Sequence, residues 1–132
     1  MALLGYTIPH FKQSIPNGTK TQTIRKLRKL KGKPHPIKLG ERLYHYFGLR
    51  TKHCEKLGES ICNETFFIRF YRSGCHVDWF RNLNSPCMVM RDEEIVKLAH
   101  RDGFNTVDEL FTVLERMHGS QNGSQVFQVI RW

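Results

Sequence analysis

A short segment near the start of the chain, residues 17–27, brings an amine, two hydroxyls and a guanidinium together within six positions. These groups belong to Lys20, Thr21, Thr23 and Arg25. Hydrolysis of an amide needs a base or nucleophile, a proton carrier and a donor to the developing oxyanion. Neighbouring cations lower the pKa of a lysine, the Thr23 hydroxyl can orient a water or donate to a carbonyl oxygen, and Arg25 can bind a carboxylate or phosphate. The segment therefore predicts a site for a small polar ligand.

The backbone has to place Lys20 apart from the strand that follows it. Residues 21–27, TQTIRKL, alternate β-branched and polar side chains as strands do. Alternate residues of a strand share a face, so Thr23 and Arg25 project together, whereas Lys20 within the strand would point away from them. Lys20 can meet Thr23 only from the turn that begins at Asn17-Gly18. We therefore expect Lys20 to lie in that turn.

Positive charge is concentrated in the first third of the chain. Residues 1–40 contain nine Lys or Arg and no acid, residues 41–132 contain twelve of each sign, and the net charge is +9. Such polarity indicates a surface for a polyanion such as RNA, although a solvated basic loop without a ligand is the alternative. A glycine and two prolines in residues 28–36 predict an exposed loop. The nucleic-acid-binding candidates are Lys26, Arg28, Lys29, Lys31 and Lys33.

The remaining pattern predicts strands around a few short helices, in one domain spanning residues 1–132. Further strands are predicted at 41–50, at 56–72 with a break near Asn63, at 87–90 and at 126–132. Helices are predicted from Pro9, from Asp92 to a stop at Gly103, and from a capping box at 106–109 to Gly119. This arrangement favours an α+β fold built as a small barrel.

Several classes of protein are disfavoured by composition. No apolar run approaches the roughly 20 residues that cross a bilayer, and the first residues do not resemble a secretory signal, so we expect a cytoplasmic protein without a membrane partner. No two of the four cysteines, Cys54, Cys62, Cys75 and Cys87, have Cys-x-x-Cys spacing. Reduced thiols are therefore expected rather than a zinc site, and we predict no metal or other cofactor.

Five blocks of the sequence together resemble the ASCH domain family. Residues 18–25, GTKTQTIR, are similar to the family signature, a Gly-x-Lys start followed by a threonine or acid and an arginine. Four further blocks follow in family order: IKLGERL at 37–43, GLRTK at 48–52, AHRDGF at 99–104 and VIRW at 129–132. Because the ordered set spans nearly the whole chain, we interpret the protein as an ASCH domain.

The resemblance implies a PUA-like β-barrel, associated with RNA binding, with a cleft near the signature. Some small bacterial members hydrolyse the amide of cytidine acetylated on its exocyclic amine, and others act as ribonucleases. In the amidohydrolases a Lys, a Thr and a Glu are implicated. These match Lys20, Thr23 and, with the shorter acid, Asp102. Arg50 and Lys52 are candidates for lining the same cleft, or else ordinary surface charges.

Three functional hypotheses follow from the sequence. The first is binding of RNA or a modified nucleoside in a basic cleft that includes Thr21 and Arg25. The second is an amidohydrolase in which Lys20, Thr23 and Asp102 are catalytic. The third is a ribonuclease, for which the sequence offers no His pair or acid cluster at a convincing spacing. Because fold alone does not determine activity, these hypotheses depend on where the side chains meet.

Overall fold

The computed structural model describes residues 2–132, in which ten β-strands, three α-helices and one short 3-10 helix follow one another. The strands are β1 (Ala2–Tyr6), β2 (Gln22–Lys26), β3 (Lys29–Leu30), β4 (Lys33–Pro34), β5 (Arg42–Phe47), β6 (Glu55–Ile61), β7 (Glu64–Tyr71), β8 (His76–Phe80), β9 (Met88–Val89) and β10 (Phe127–Arg131). The helices are α1 (Phe11–Ser14), α2 (Asp92–Arg101) and α3 (Val107–His118), and the 3-10 helix is Ser73–Cys75. The described residues therefore form an α+β fold rich in strands.

The strands form three separate sheets, so the predicted PUA-like β-barrel is wrong. Their orders are β1-β5-β6, β2-β10-β7-β8-β9 and β3-β4. A barrel needs one continuous ladder of strands that closes on itself. The ladder breaks where β6 passes into β7 through Cys62 and Asn63, because β7 pairs with β10 and β8 instead of β6.

The five-stranded sheet places the signature segment beside the end of the chain. β2 pairs antiparallel with β10, so that Gln22 lies opposite Arg131 and Thr23 opposite Ile130. β10 lies between β2 and β7, and its first four residues, 127–130, are all buried because both faces of this strand are covered. Both β10 and β2, the strand that includes the second half of the signature, were predicted from their side-chain patterns.

The three-stranded sheet contains a strand that the sequence did not reveal. β1 pairs in parallel with β5, and its side chains alternate between buried Ala2, Leu4 and Tyr6 and exposed Leu3. β8 was also missed. The break predicted in residues 56–72 is confirmed, because β6 ends at Ile61 and β7 begins at Glu64.

The two longer helices begin and end where their sequences predict. The Thr106 hydroxyl accepts a hydrogen bond from the Glu109 amide at 3.1 Å and caps α3. α2 ends at Arg101, Asp102 is its C-cap residue, and Gly103 follows with φ of +92°. A Cβ atom at Gly103 would lie 2.7 Å from the Phe11 ring, so the glycine lets the end of α2 approach α1 closely. This approach brings Asp102 to the signature segment.

The basic segment after β2 is a hairpin, not the predicted loop. Lys29 pairs with Pro34 and Leu30 pairs with Lys33. The two residues between them, Lys31 and Gly32, have φ of +52° and +77°, as the central residues of a type I′ turn do. We call residues 28–35 the basic hairpin. The Lys31-Gly32 pair was a sequence signal for a two-residue turn, but the prolines nearby led to the prediction of a loop.

Two other expectations concern the whole chain. None of the helices in residues 2–132 has the length and apolar character needed to span a membrane. All four cysteines are free, and of these Cys62 alone is buried. The prediction of a single domain stays a prediction.

Candidate functional site

Lys20 occupies the turn before β2, as its predicted role requires. Its backbone amide donates to the carbonyl of Ser14 at 2.8 Å, which fixes the residue outside the strand. Its side chain is fully buried. The Nζ atom donates to the backbone oxygen of Asp102 at 2.6 Å and lies 3.5 Å from Asp102 Oδ2. It also lies 4.1 Å from the centre of the Phe11 ring.

Burial changes the proton affinity of both members of this pair. It lowers the pKa of Lys20 to about 8, against the attraction of Asp102 and with a smaller contribution from the Arg25 charge. It raises the pKa of the Asp102 carboxyl, which Lys20 and Gln22 oppose. Each shift moves the group toward its neutral form. A fraction of Lys20 is therefore a free amine near neutral pH, in contact with a carboxylate that can carry a proton.

A cleft of about 300 Å³ opens next to the pair. Asp102, Thr23 and Arg25 line its polar end, together with Tyr6. Lys20 is not part of the lining, but its amine contacts Asp102, which is. The remaining wall comes largely from apolar side chains of α3 and its surroundings: Ile8, Phe11, Phe104, Leu110, Val113, Leu114 and Met117. A ligand with one polar edge and one apolar face fits such a site.

Arg25 is held at the polar end by neutral partners. Its Nε donates to Thr23 Oγ1 at 3.1 Å, and its NH2 donates to the carbonyl of Gly5 at 2.6 Å. The guanidinium also lies 4.9 Å from the centre of the Tyr6 ring. In residues 2–132 it makes no ion pair with a carboxylate, so its charge is available to a ligand.

Tyr6 belongs to the site although sequence reasoning did not identify it. Its hydroxyl lies 2.8 Å from Nδ1 of His45, whose Nε2 lies 2.7 Å from Ser60 Oγ. Burial raises the pKa of Tyr6 far above its usual value and lowers the pKa of His45 to about 4, so both are neutral near pH 7. The missed signal was β1 itself, because its alternation would have placed Tyr6 on a buried face.

The structure separates three other candidates from this cleft. Thr21 precedes β2, is half-buried, and makes backbone hydrogen bonds with Arg101 and Trp132. Arg50 and Lys52 are exposed in the turn between β5 and β6. The lining of the cleft includes none of the three.

The basic candidates divide into two groups. Lys26 lines the cleft. Arg28 supports the base of the basic hairpin, where its Nε donates to the His35 carbonyl and its NH2 lies 3.5 Å from Glu41. The other three, Lys29, Lys31 and Lys33, are exposed and make no ion pair within the described part of the chain.

Two further observations concern possible metal ligands and similarity to known proteins. Across residues 2–132, no three His, Cys, Asp or Glu side chains are grouped so that they could hold a metal ion. Comparisons with family models, curated proteins and solved structures found no match to this chain.

Proposed function

We propose that the protein is an amidohydrolase that binds an acylated nucleoside-like compound in the cleft and cleaves its amide. The observation that carries the proposal is the buried Lys20 amine against Asp102, directly behind a cleft lined by Thr23 and Arg25. Perturbed titratable groups beside a cavity are typical of catalytic sites. The ordered blocks that resemble ASCH amidohydrolases support the same activity. ASCH membership and a cytoplasmic location are parts of this proposal.

In the proposed mechanism, each polar group has a different task. Asp102 faces the ligand and takes a proton from the attacking water, and it passes a proton to the neutral amine of Lys20 behind it. Thr23 orients the water, while Arg25 donates to the carbonyl oxygen as negative charge develops there. The proton then returns through Asp102 to the departing nitrogen, which leaves as a neutral amine. The acid product keeps the oxygen of the water.

Deacetylation of N4-acetylcytidine tests the proposal directly. The wild-type protein is expected to release cytidine, and Lys20→Met is expected to lose at least about 10²-fold in kcat, since the proton acceptor is gone. Methionine keeps a similar length in the buried position. Lys12→Met, which removes a half-exposed lysine paired with Glu55, is the matched control and should retain activity. Equal rates in the wild type and Lys20→Met would refute the assignment.

A second candidate function, RNA binding, is favoured by the basic hairpin. Lys29, Lys31 and Lys33 project from it without ion-pair partners in the described residues, as phosphate contacts would require. We propose RNA as a partner on the basis of these exposed lysines. It does not depend on the cleft, because the hairpin lysines do not line it.

Reversing the charge of the hairpin lysines tests the proposed binding of RNA. The triple change of Lys29, Lys31 and Lys33 to Glu is expected to weaken binding of single-stranded RNA and to reduce the slope of log K against log salt by about 0.7 for each lost phosphate contact. Lys97→Glu on α2, compared with the single change Lys31→Glu in the hairpin, is the control with the same change of net charge. RNA affinity that is absent, independent of salt, or equally weakened by the control would remove the hypothesis.

The ribonuclease alternative remains a prediction from the resemblance. No specific feature of the described residues favours it over hydrolysis of an amide.

A further inference from the structure

Gln22, the first residue of β2, is fully buried beside the proposed catalytic pair. Its amide nitrogen donates to the carbonyl of Leu98 at 3.0 Å and to Asp102 Oδ1 at 3.3 Å. Its amide oxygen accepts from Arg131 Nε at 2.9 Å. Both N–H groups and the carbonyl oxygen are therefore used, as a buried amide requires.

Arg131 allows only one orientation of this amide. Rotating the Gln22 amide by half a turn would place its oxygen against the two acceptors and its nitrogen against the Arg131 N–H group. Arg131 is itself fixed, because its NH1 lies 2.6 Å from Glu64 Oε1 and its guanidinium lies 4.9 Å from the centre of the Phe66 ring. The register of β2 on β10, with Gln22 opposite Arg131, sets this contact.

The consequence is a defined orientation of the Asp102 carboxyl. Gln22 holds Oδ1, and Oδ2 is left beside Lys20 Nζ at 3.5 Å. Two further groups interact electrostatically with Asp102. The charge of Arg25 lowers the pKa of Asp102, and the charge of Asp102 raises the pKa of Tyr6. The Gln22 hydrogen bond also opposes the effect of burial and lowers the pKa of the carboxyl.

We propose that Gln22, locked by Arg131, is a positioning residue that holds the Asp102 carboxyl in the orientation needed for proton exchange with Lys20. This inference rests on the proposed amide hydrolysis. Gln22 does not line the cleft, so it acts through Asp102 and does not touch the ligand. Arg131 acts indirectly, because it fixes the orientation of the Gln22 amide.

A second buried glutamine provides a matched control. Gln128, on β10, is 2% exposed, and its amide bonds the backbone of Ile37 and the hydroxyl of Thr65. It makes no hydrogen bond to Lys20 or Asp102. Gln22→Met and Gln128→Met each remove one satisfied buried amide at similar volume, so both should lower the stability of the fold. Only the first should change the proposed proton exchange.

Two readouts separate positioning from stability. Gln22→Met should lower kcat for N4-acetylcytidine about tenfold or more with little change in KM, because small misplacements of catalytic groups are costly. The Asp102 carboxyl should titrate at higher pH, because it has lost a donor that favours its charged form. A ¹³C NMR titration of the Asp102 carboxyl carbon measures this upward shift. Gln128→Met should leave both kcat and the Asp102 midpoint unchanged.

The outcomes distinguish this inference from the proposed function. Wild-type protein without turnover refutes the hydrolase, while the NMR titration still tests the link between Gln22 and Asp102. An unchanged Asp102 titration in folded Gln22→Met, or the same shift in Gln128→Met, overturns the positioning role. If Gln22→Met does not fold, Arg131→Lys replaces it, since lysine keeps the charge near Glu64 and removes the Nε donor to Gln22. An unchanged Asp102 titration in that variant would also overturn the inference.

Discussion

At the scale of single residues, sequence reasoning identified Lys20, Thr23, Arg25 and Asp102, and the structure brings them together. Lys20 was predictable because a turn precedes it and the strand geometry excludes any other useful position. Its complete burial was not predictable, since a lysine beside Asn17-Gly18 normally faces water. It follows from long-range packing, in which the end of α2 and the Phe11 ring enclose the amine. The role of Gln22 was hidden for the same reason, because its partners lie 76 to 109 positions away in the chain.

At the scale of elements, the close contact between α1 and the end of α2 holds the site together, and it depends on Gly103. Gly103→Ala should destabilise the fold by about 2–4 kcal/mol, since alanine is strained at φ of +92° and its Cβ would overlap the Phe11 ring. Gly74→Ala, in the 3-10 helix, is the matched control: its φ is +76° and its ψ is 3°, but no atom lies within 4 Å of the added Cβ. It should cost only the backbone strain, about 1–2 kcal/mol. Chemical denaturation compares the two, and equal losses would show that the Phe11 contact does not limit the position of α2.

At the scale of the whole molecule, the order of most elements could be predicted and their assembly could not. Side-chain alternation and capping residues are local signals, and they identified β2, β5, β10 and the two longer helices. Strand pairing is a non-local property, so the break near Asn63 could be predicted, but not that the chain passes there from the three-stranded to the five-stranded sheet. The inference of a barrel failed there. Of the nine cations in residues 1–40, four lie in the basic hairpin, and Lys20 alone is buried.

The central claim is that Lys20 is a buried amine poised to exchange a proton near neutral pH. NMR titration of the lysine side chains, with Lys20→Met to assign the Nζ signal, measures this most directly. We expect a Lys20 midpoint near pH 8, well below the usual 10.5, with the ammonium form below that pH and the free amine above it. A midpoint at the ordinary value of an exposed lysine would contradict the account, because the amine would then stay charged under the conditions in which an amide has to be cleaved.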